Sequence, residues 1–176
     1  ELLDKYKKGL MQKIFSQEIR FKQDDGSDFP DWKIGILDNL IKKIADGGTP
    51  PTNDKSNFGG EINWVVIADI QDKIEVTKIK LTEKGYKKCS SSLWEPEDII
   101  LSTGATIGEV GITKLTTATK QGICGIKVNK ECCNIFLKEW FKSENARLQF
   151  KKYAQGSSIK EVRPPTLIKF KIIFPE

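Results

Sequence analysis

Apolar residues in the first 21 positions, ELLDKYKKGLMQKIFSQEIRF, fall at Leu3, Tyr6, Leu10 and Ile14, with Met11 beside them. Steps of three and four predict an amphipathic helix with one narrow apolar stripe. Lys5, Lys7, Lys8, Gln12 and Lys13 fill the other side. Leu3 and Leu10 stand seven apart, the period of a coiled-coil seam. Leu3, Tyr6, Leu10 and Ile14 are therefore the expected helix-packing residues of a long coiled-coil-type helix. A helix lying on its own domain would carry the same stripe. Gly9 costs such a helix about 1 kcal/mol relative to Ala, so it needs packing to be stable.

A polar stretch from Gln23 to Asp28 interrupts the pattern, followed by Phe29-Pro30. Its Asp, Gln, Ser and Gly content is turn chemistry, which divides the chain into residues 1–22, a helical spacer, and residues 23–176, a domain. Beyond Trp32 short apolar runs alternate with turns. Residues 34–40 read as a strand or helical turn leading into 41–45, and 62–68 as a buried strand. Strands are expected at 99–102, 109–113 and 122–128, with a closing strand at 167–174. Residues 80–88 read as a short helix with Thr82 as its cap, and 136–153 as one longer helix. The mixture lacks a regular β-α-β rhythm, so the fold class is α+β: the long N-terminal helix followed by a mixed domain.

Composition narrows the chemistry. The chain of 176 residues contains no histidine, which removes His-activated nucleophiles, imidazole acid-base work and His metal ligation together. Cys89, Cys124, Cys132 and Cys133 form no Cys-x-x-Cys and read as reduced thiols of a cytoplasmic protein, with no metal site. No run of about 18 apolar residues suits a membrane span. The chain opens inside a helical pattern without Met and stops just after an apolar run, as expected of a piece of a longer protein. Net charge is +5 but uneven. Six basic and three acidic residues lie in 1–22, and eight basic and three acidic in 142–176, around a middle with 15 basic and 18 acidic. Basic ends suit a polyanion, or simply a solvated lysine face.

Four segments hold candidate contacts. Residues 46–55, DGGTPPTNDK, are long and polar, with Thr49 and Lys55 able to meet phosphates or base edges; a mobile connection would look the same. Gly104–Gly108, preceded by Ser102-Thr103, is a tight hairpin whose backbone N–H groups, Thr103 and Thr106 could face phosphate oxygens. It lacks the Gly-Lys-Ser/Thr of a P-loop, and a plain hairpin explains it as well. Lys120-Gln121 precedes a strand, and glutamine can read adenine bidentately. Ser158, Lys160 and Arg163 follow the second helix in a cluster that suits backbone contacts on a duplex. Trp32, Trp64, Trp94 and Trp140 stand in apolar contexts and read as packing residues.

In order, these segments resemble the type I restriction-modification specificity subunit. The helix KYKKGLMQKIFSQEIRF looks like that family's central helical region, followed by Phe29-Pro30-Asp31-Trp32. Gly47-Gly48-Thr49-Pro50, Gly59-Gly60-Glu61-Ile62-Asn63-Trp64 with Asp69-Ile70, Ala105-Thr106-Ile107-Gly108, Thr119-Lys120-Gln121-Gly122, Gly156–Lys160 and Ile172–Pro175 match its recognition-domain motifs. Where the family more often carries Asn, this chain has Lys120. The resemblance covers nearly the whole chain and implies the second recognition domain with the central helix. It implies a non-catalytic reader of one half of a bipartite double-stranded DNA site. Methyltransferase subunits that bind S-adenosylmethionine would dock on it, and restriction subunits would bring ATP and Mg; this chain would bind no cofactor itself. The helix, without its natural partner, is expected to be able to self-associate.

Alternatives are the recognition domain of a single-chain restriction-methylation enzyme, or a protein-interaction module without DNA readout. A metal-dependent nuclease would need carboxylates such as Glu61, Asp69, Asp72 and Asp98, but no Pro-Asp…Asp/Glu-x-Lys pattern completes that set.

Overall fold

The computed structural model describes residues 2–154 and 161–175. Helix α1 (Leu2–Phe15) is 14 residues long, shorter than the helix expected over residues 1–21. Gln17 takes a left-handed backbone, φ +62°, and its side-chain amide donates to the Ile14 carbonyl, closing the helix early. The following stretch is held: Arg20 pairs with Asp31 at 2.6 Å and donates to the Phe29 and Pro30 carbonyls.

The domain then runs β1 (Lys33–Ile36), a 3-10 turn at Leu37–Leu40, β2 (Ile41–Asp46), a 3-10 turn at Lys55–Asn57 and β3 (Phe58–Val65). A 3-10 turn at Ile67–Asp69 leads to β4 (Lys73–Ile74), β5 (Ile79–Leu81) and α2 (Glu83–Cys89). The strands β6 (Ile99–Ser102), β7 (Val110–Thr113), β8 (Thr117–Thr119) and β9 (Ile123–Val128) follow. The described chain closes with α3 (Asn134–Phe141), α4 (Glu144–Tyr153), α5 (Pro164–Leu167) and β10 (Lys171–Phe174).

Five strands form the main sheet in the order β2-β9-β6-β7-β4, antiparallel except for the β4–β7 pair. Its central strands are covered on both faces, and so they read as unbroken apolar runs. Ile99 and Leu101 face one cluster with Trp140, Phe141, Phe150 and Phe170. Ile100, between them, faces Val65, Ile74, Trp94 and Ile123. Trp94 lies flat on β9 where a side chain at Gly125 would stand 1.9 Å from its ring, so the indole takes the space that only glycine leaves. A second sheet, β5-β3-β8, has its own core of Trp64, Leu81, Cys89 and Ala118. The ribbon β1–β10 joins the two ends of the domain, with Ile34 opposite Ile173.

The mixed α+β domain agrees with the sequence expectation. The helix expected over 136–153 is two helices, because Ser143 caps α4 by accepting the Ala146 N–H at 3.3 Å. Thr82 caps α2 through Gly85, as expected. Trp64, Trp94 and Trp140 are buried, and Trp32 packs edge-on against Phe15 and Phe136. All four cysteines are free, two of them buried. Burial, opposed by a hydrogen bond with Thr103, pushes the Cys124 thiol up to about 12. No helix among the described residues is long and apolar enough to cross a membrane.

Candidate nucleic-acid interface

Three loops meet at the end of the main sheet where β2 stops and β9 starts. The first leaves β2 at Asp46. The Gly47 N–H donates to the Ile123 carbonyl and the Gly48 N–H to the Thr119 carbonyl, both at 3.0 Å. A Cβ on Gly48 would lie 1.2 Å from the Cys89 carbonyl oxygen, and one on Gly47 would lie 2.3 Å from the Thr119 and Lys120 carbonyls. Two glycines in sequence are thus what allows this loop to lie against both the end of α2 and the turn before β9. The Trp64 indole N–H donates to the Gly48 carbonyl at 3.2 Å. Thr49 is left half-buried at the surface of this junction.

The second loop is the turn before β9. Its Lys120 N–H is anchored on the Val65 carbonyl at 3.0 Å, and Gly122 takes φ +80°. Lys120 and Gln121 stand exposed at its tip. The Gly122 carbonyl accepts the N–H groups of Thr103 and Gly104 at 2.9 and 3.0 Å, which draws in the third loop, the β6–β7 hairpin. There the Ser102 hydroxyl donates to the Thr106 carbonyl and accepts the Glu109 N–H. The N–H groups of Gly104 and Gly108 are likewise satisfied internally. Those of Ala105, Thr106 and Ile107 have no partner among the described residues. Val162 donates to the Thr103 carbonyl at 2.9 Å, and its neighbour Arg163 is exposed, 2.6 Å from Glu161.

Of the residues expected from sequence, Thr49, Lys120, Gln121, Thr106 and Arg163 thus lie on connected loops and form one ridge. Thr103 does not belong to it. Its side chain is buried, with the hydroxyl 3.5 Å from the Cys124 sulfur, because the alternation that ends β6 turns it into the sheet. Lys55 sits apart, on the turn beside α2. Ser158 and Lys160 lie outside the described residues.

Lys55 has company that the sequence reading passed over. Lys84 and Lys88, one turn apart on α2, pair with Asp54 at 3.0 and 3.4 Å, and Lys87 is exposed next to them. The Ser56 hydroxyl and then Lys84 hold the Asp54 carboxyl well below its ordinary range. The three-four spacing of Lys84, Lys87 and Lys88 on a short helix was the available signal. The loop over 46–55 is therefore pinned rather than free: Asp54 caps its turn, and the Asn57 amide donates to the Pro51 carbonyl at 2.8 Å.

The nuclease carboxylates are spoken for individually. Asp69 accepts the backbone N–H groups of Val66 and Lys78, and Asp98 accepts that of Glu95. Asp72 is 2.7 Å from both Lys138 and Lys142. Glu61 pairs with Lys80 at the surface. The ridge residues are hydroxyl, amide and cationic donors without an aromatic ring. Such side chains suit phosphates and groove edges of a duplex more than the faces of unstacked bases.

Residues 30–176 match the family of the type I restriction modification DNA specificity domain. The specificity subunit of the type I restriction enzyme MjaIX from Methanocaldococcus jannaschii is 30% identical over 166 residues, covering 92% of this chain and 38% of the relative. Among solved structures, the fold is similar to the HsdS subunit from Thermoanaerobacter tengcongensis, with TM-score 0.63 at 18% identity over 94% of this chain and 38% of that one. It is also similar to a chain in a structure concerned with complex assembly of the type I R-M system, with TM-score 0.67 at 17% identity, covering 94% and 39%. The chain thus spans under two-fifths of the length of these relatives.

Proposed function

This chain belongs to the type I restriction modification DNA specificity family, and we propose that it reads one half of a bipartite site in double-stranded DNA. The observation that carries this reading is the convergence of three loops, joined by the segment of Arg163 through the bond from Val162 to Thr103, which brings Thr49, Thr106, Lys120, Gln121 and Arg163 to one junction. Lys120 and Arg163 supply charge for phosphates, Gln121 an amide for a base edge, and the hairpin N–H groups that have no partner among the described residues further donors. The lysines of α2, with Lys55, extend a cationic arm from the same junction, where Gly48 touches Cys89. That arm would track the backbone without reading sequence.

In this reading the chain contributes recognition and no catalysis. Methyltransferase subunits would bring S-adenosylmethionine, and restriction subunits ATP and Mg. Helix α1 is the spacer element that sets the distance to the other half-reader, and its exposed Leu3, Tyr6 and Leu10 support a role as a seam for another helix. The same seam would let the isolated chain self-associate.

The test is adenine-methylation mapping by long-read sequencing, in cells holding the methyltransferase and the full specificity subunit. Residues 23–176 are exchanged for another recognition domain. A change confined to one half of a split methylated motif is the expected result. Methylation that keeps its motif would overturn the reading.

A further inference from the structure

We propose that Asp46 is a positioning residue that determines specificity, by holding the loop of Thr49 and the turn of Lys120-Gln121 in one fixed register. This role rests on the DNA-reading function proposed above. Asp46 ends β2 opposite Cys124 of β9, and one carboxylate oxygen faces two N–H donors from two loops and a thiol of β9. It accepts the Gly47 N–H at 2.9 Å and the Gly122 N–H at 3.3 Å, with the Cys124 sulfur 3.9 Å away. Gly47 opens the first loop, two residues before Thr49. Gly122 closes the second, directly after Gln121, and its carbonyl in turn binds the N–H groups that start the hairpin. A single side chain thus sits where the three reading elements join.

Backbone bonds from Gly47 and Gly48 to the Ile123 and Thr119 carbonyls tie the first loop to this turn, and Asp46 adds the tie that reaches Gly122. The Gly47 N–H is shared between Asp46 and the Ile123 carbonyl, and the Gly122 N–H has Asp46 as its one acceptor among the described residues. Gly122 is also left-handed, and glycine moves more freely between conformations than any other residue. Asp46 supplies an acceptor that both N–H groups share. Without it, Lys120 and Gln121 keep their chemistry but lose a fixed position relative to Thr49. Base-edge bonds are sensitive to such a loss, since bidentate readout depends on geometry, while phosphate contacts tolerate it.

The role separates from a purely structural one by what it leaves intact. In the assembled complex of specificity and methyltransferase subunits, Asp46→Ala is expected to lower the ratio of affinities for cognate over scrambled duplex about tenfold. Affinity for the scrambled duplex should stay within about twofold and the salt slope unchanged. Asp46→Asn, which keeps an oxygen acceptor, should recover most of the ratio. Asp46→Glu keeps the charge but displaces it by one methylene, and should relax the ratio in a protein that still folds. Cognate and scrambled affinities falling together, or a ratio unchanged in both the Ala and Glu variants, would overturn the positioning role. If exchange of residues 23–176 shifts the methylated motif while the Ala and Glu variants keep the parent affinity ratio, only the role of Asp46 fails. If that exchange leaves the motif untouched, the reading function fails first and takes this role with it.

Discussion

In α3 and α4 one apolar face is taken up by the core: Trp140, Phe141 and Phe150 are 5% exposed or less, whereas Leu3 and Tyr6 of α1 are 81% and 70% exposed. Both regions show apolar positions at helical spacing with lysines between them. Periodicity records that a face must be covered; it does not record by what. For α3 and α4 the cover is the main sheet. For α1 the described residues of this chain supply it only at the C-terminal end, where Phe15 packs against Trp32 and Phe136 with ring centroids 6.4 and 5.7 Å apart. Between α1 and the α3–α4 junction runs a groove of 730 Å³, floored by Met11, Ile107, Phe141 and Phe150. The helix therefore leans on the domain through the two aromatic contacts of Phe15 and leaves Leu3 and Tyr6 exposed.

The comparison breaks most visibly in the core. Phe141→Ala, which opens a cavity under the sheet, is expected to cost about 3–5 kcal/mol in denaturant unfolding. A loss below about 1 kcal/mol would mean that α3 is held by something other than its stripe. Phe15→Ala comes next, at about 1–2 kcal/mol from the edge-to-face contacts and their buried area. Hydrogen exchange should rise along α1 and stay unchanged in β6 and β9.

The anchorage of α3 also has an ionic component. Hydrogen bonds from Lys138 and then Lys142 hold the Asp72 carboxyl well below its ordinary 3.8. A carboxylate depressed in the folded state stabilises above its unfolded value, and that contribution is lost as pH falls below about 3.8 towards the folded value. The side chain of Asp72 is 56% exposed, so screening keeps the contribution within about 1 kcal/mol. Asp72→Asn should flatten the acid limb of a stability–pH curve and leave its neutral-to-alkaline part parallel to the parent. Leu3→Ala should have the smallest effect, within about 0.5 kcal/mol for this chain alone. In the full specificity subunit the same substitution should cost more if another helix covers the stripe, and equal costs in the two settings would remove the seam.

Much of the domain was legible in its strands. The apolar runs at 99–102, 110–113 and 123–128 are buried on both sides, so local composition and tertiary environment agree. The short strands β4, β5 and β8 were missed, because two or three residues carry no period and exist only through their neighbours. The break at Ser143 had a readable signal, a serine followed by glutamate in a first helical turn, but the apolar spacing across it masked the cap. In the candidate site, exposed Lys120, Gln121, Thr106 and Arg163 were nameable from residue type and loop context. Thr103 was misplaced, since one residue's shift along a strand decides which face it meets. Asp46 was invisible as a hub, because an aspartate before two glycines reads as turn chemistry wherever it occurs.

Sequence by itself settled the α+β class, the absence of histidine chemistry, the glycine pairs and the order of motifs that marks the family. These depend on residue type and short-range spacing, which the chain carries along its length. Only the tertiary structure decided that loops about 57 and 75 residues apart from Asp46, by the positions of Thr103 and Gln121, close on one junction. It also decided which hydroxyl faces inward and which apolar stripe stays open. Those outcomes depend on register and on pairing between distant strands, where a displacement of a single residue reverses a side chain's direction, and no local pattern fixes that displacement.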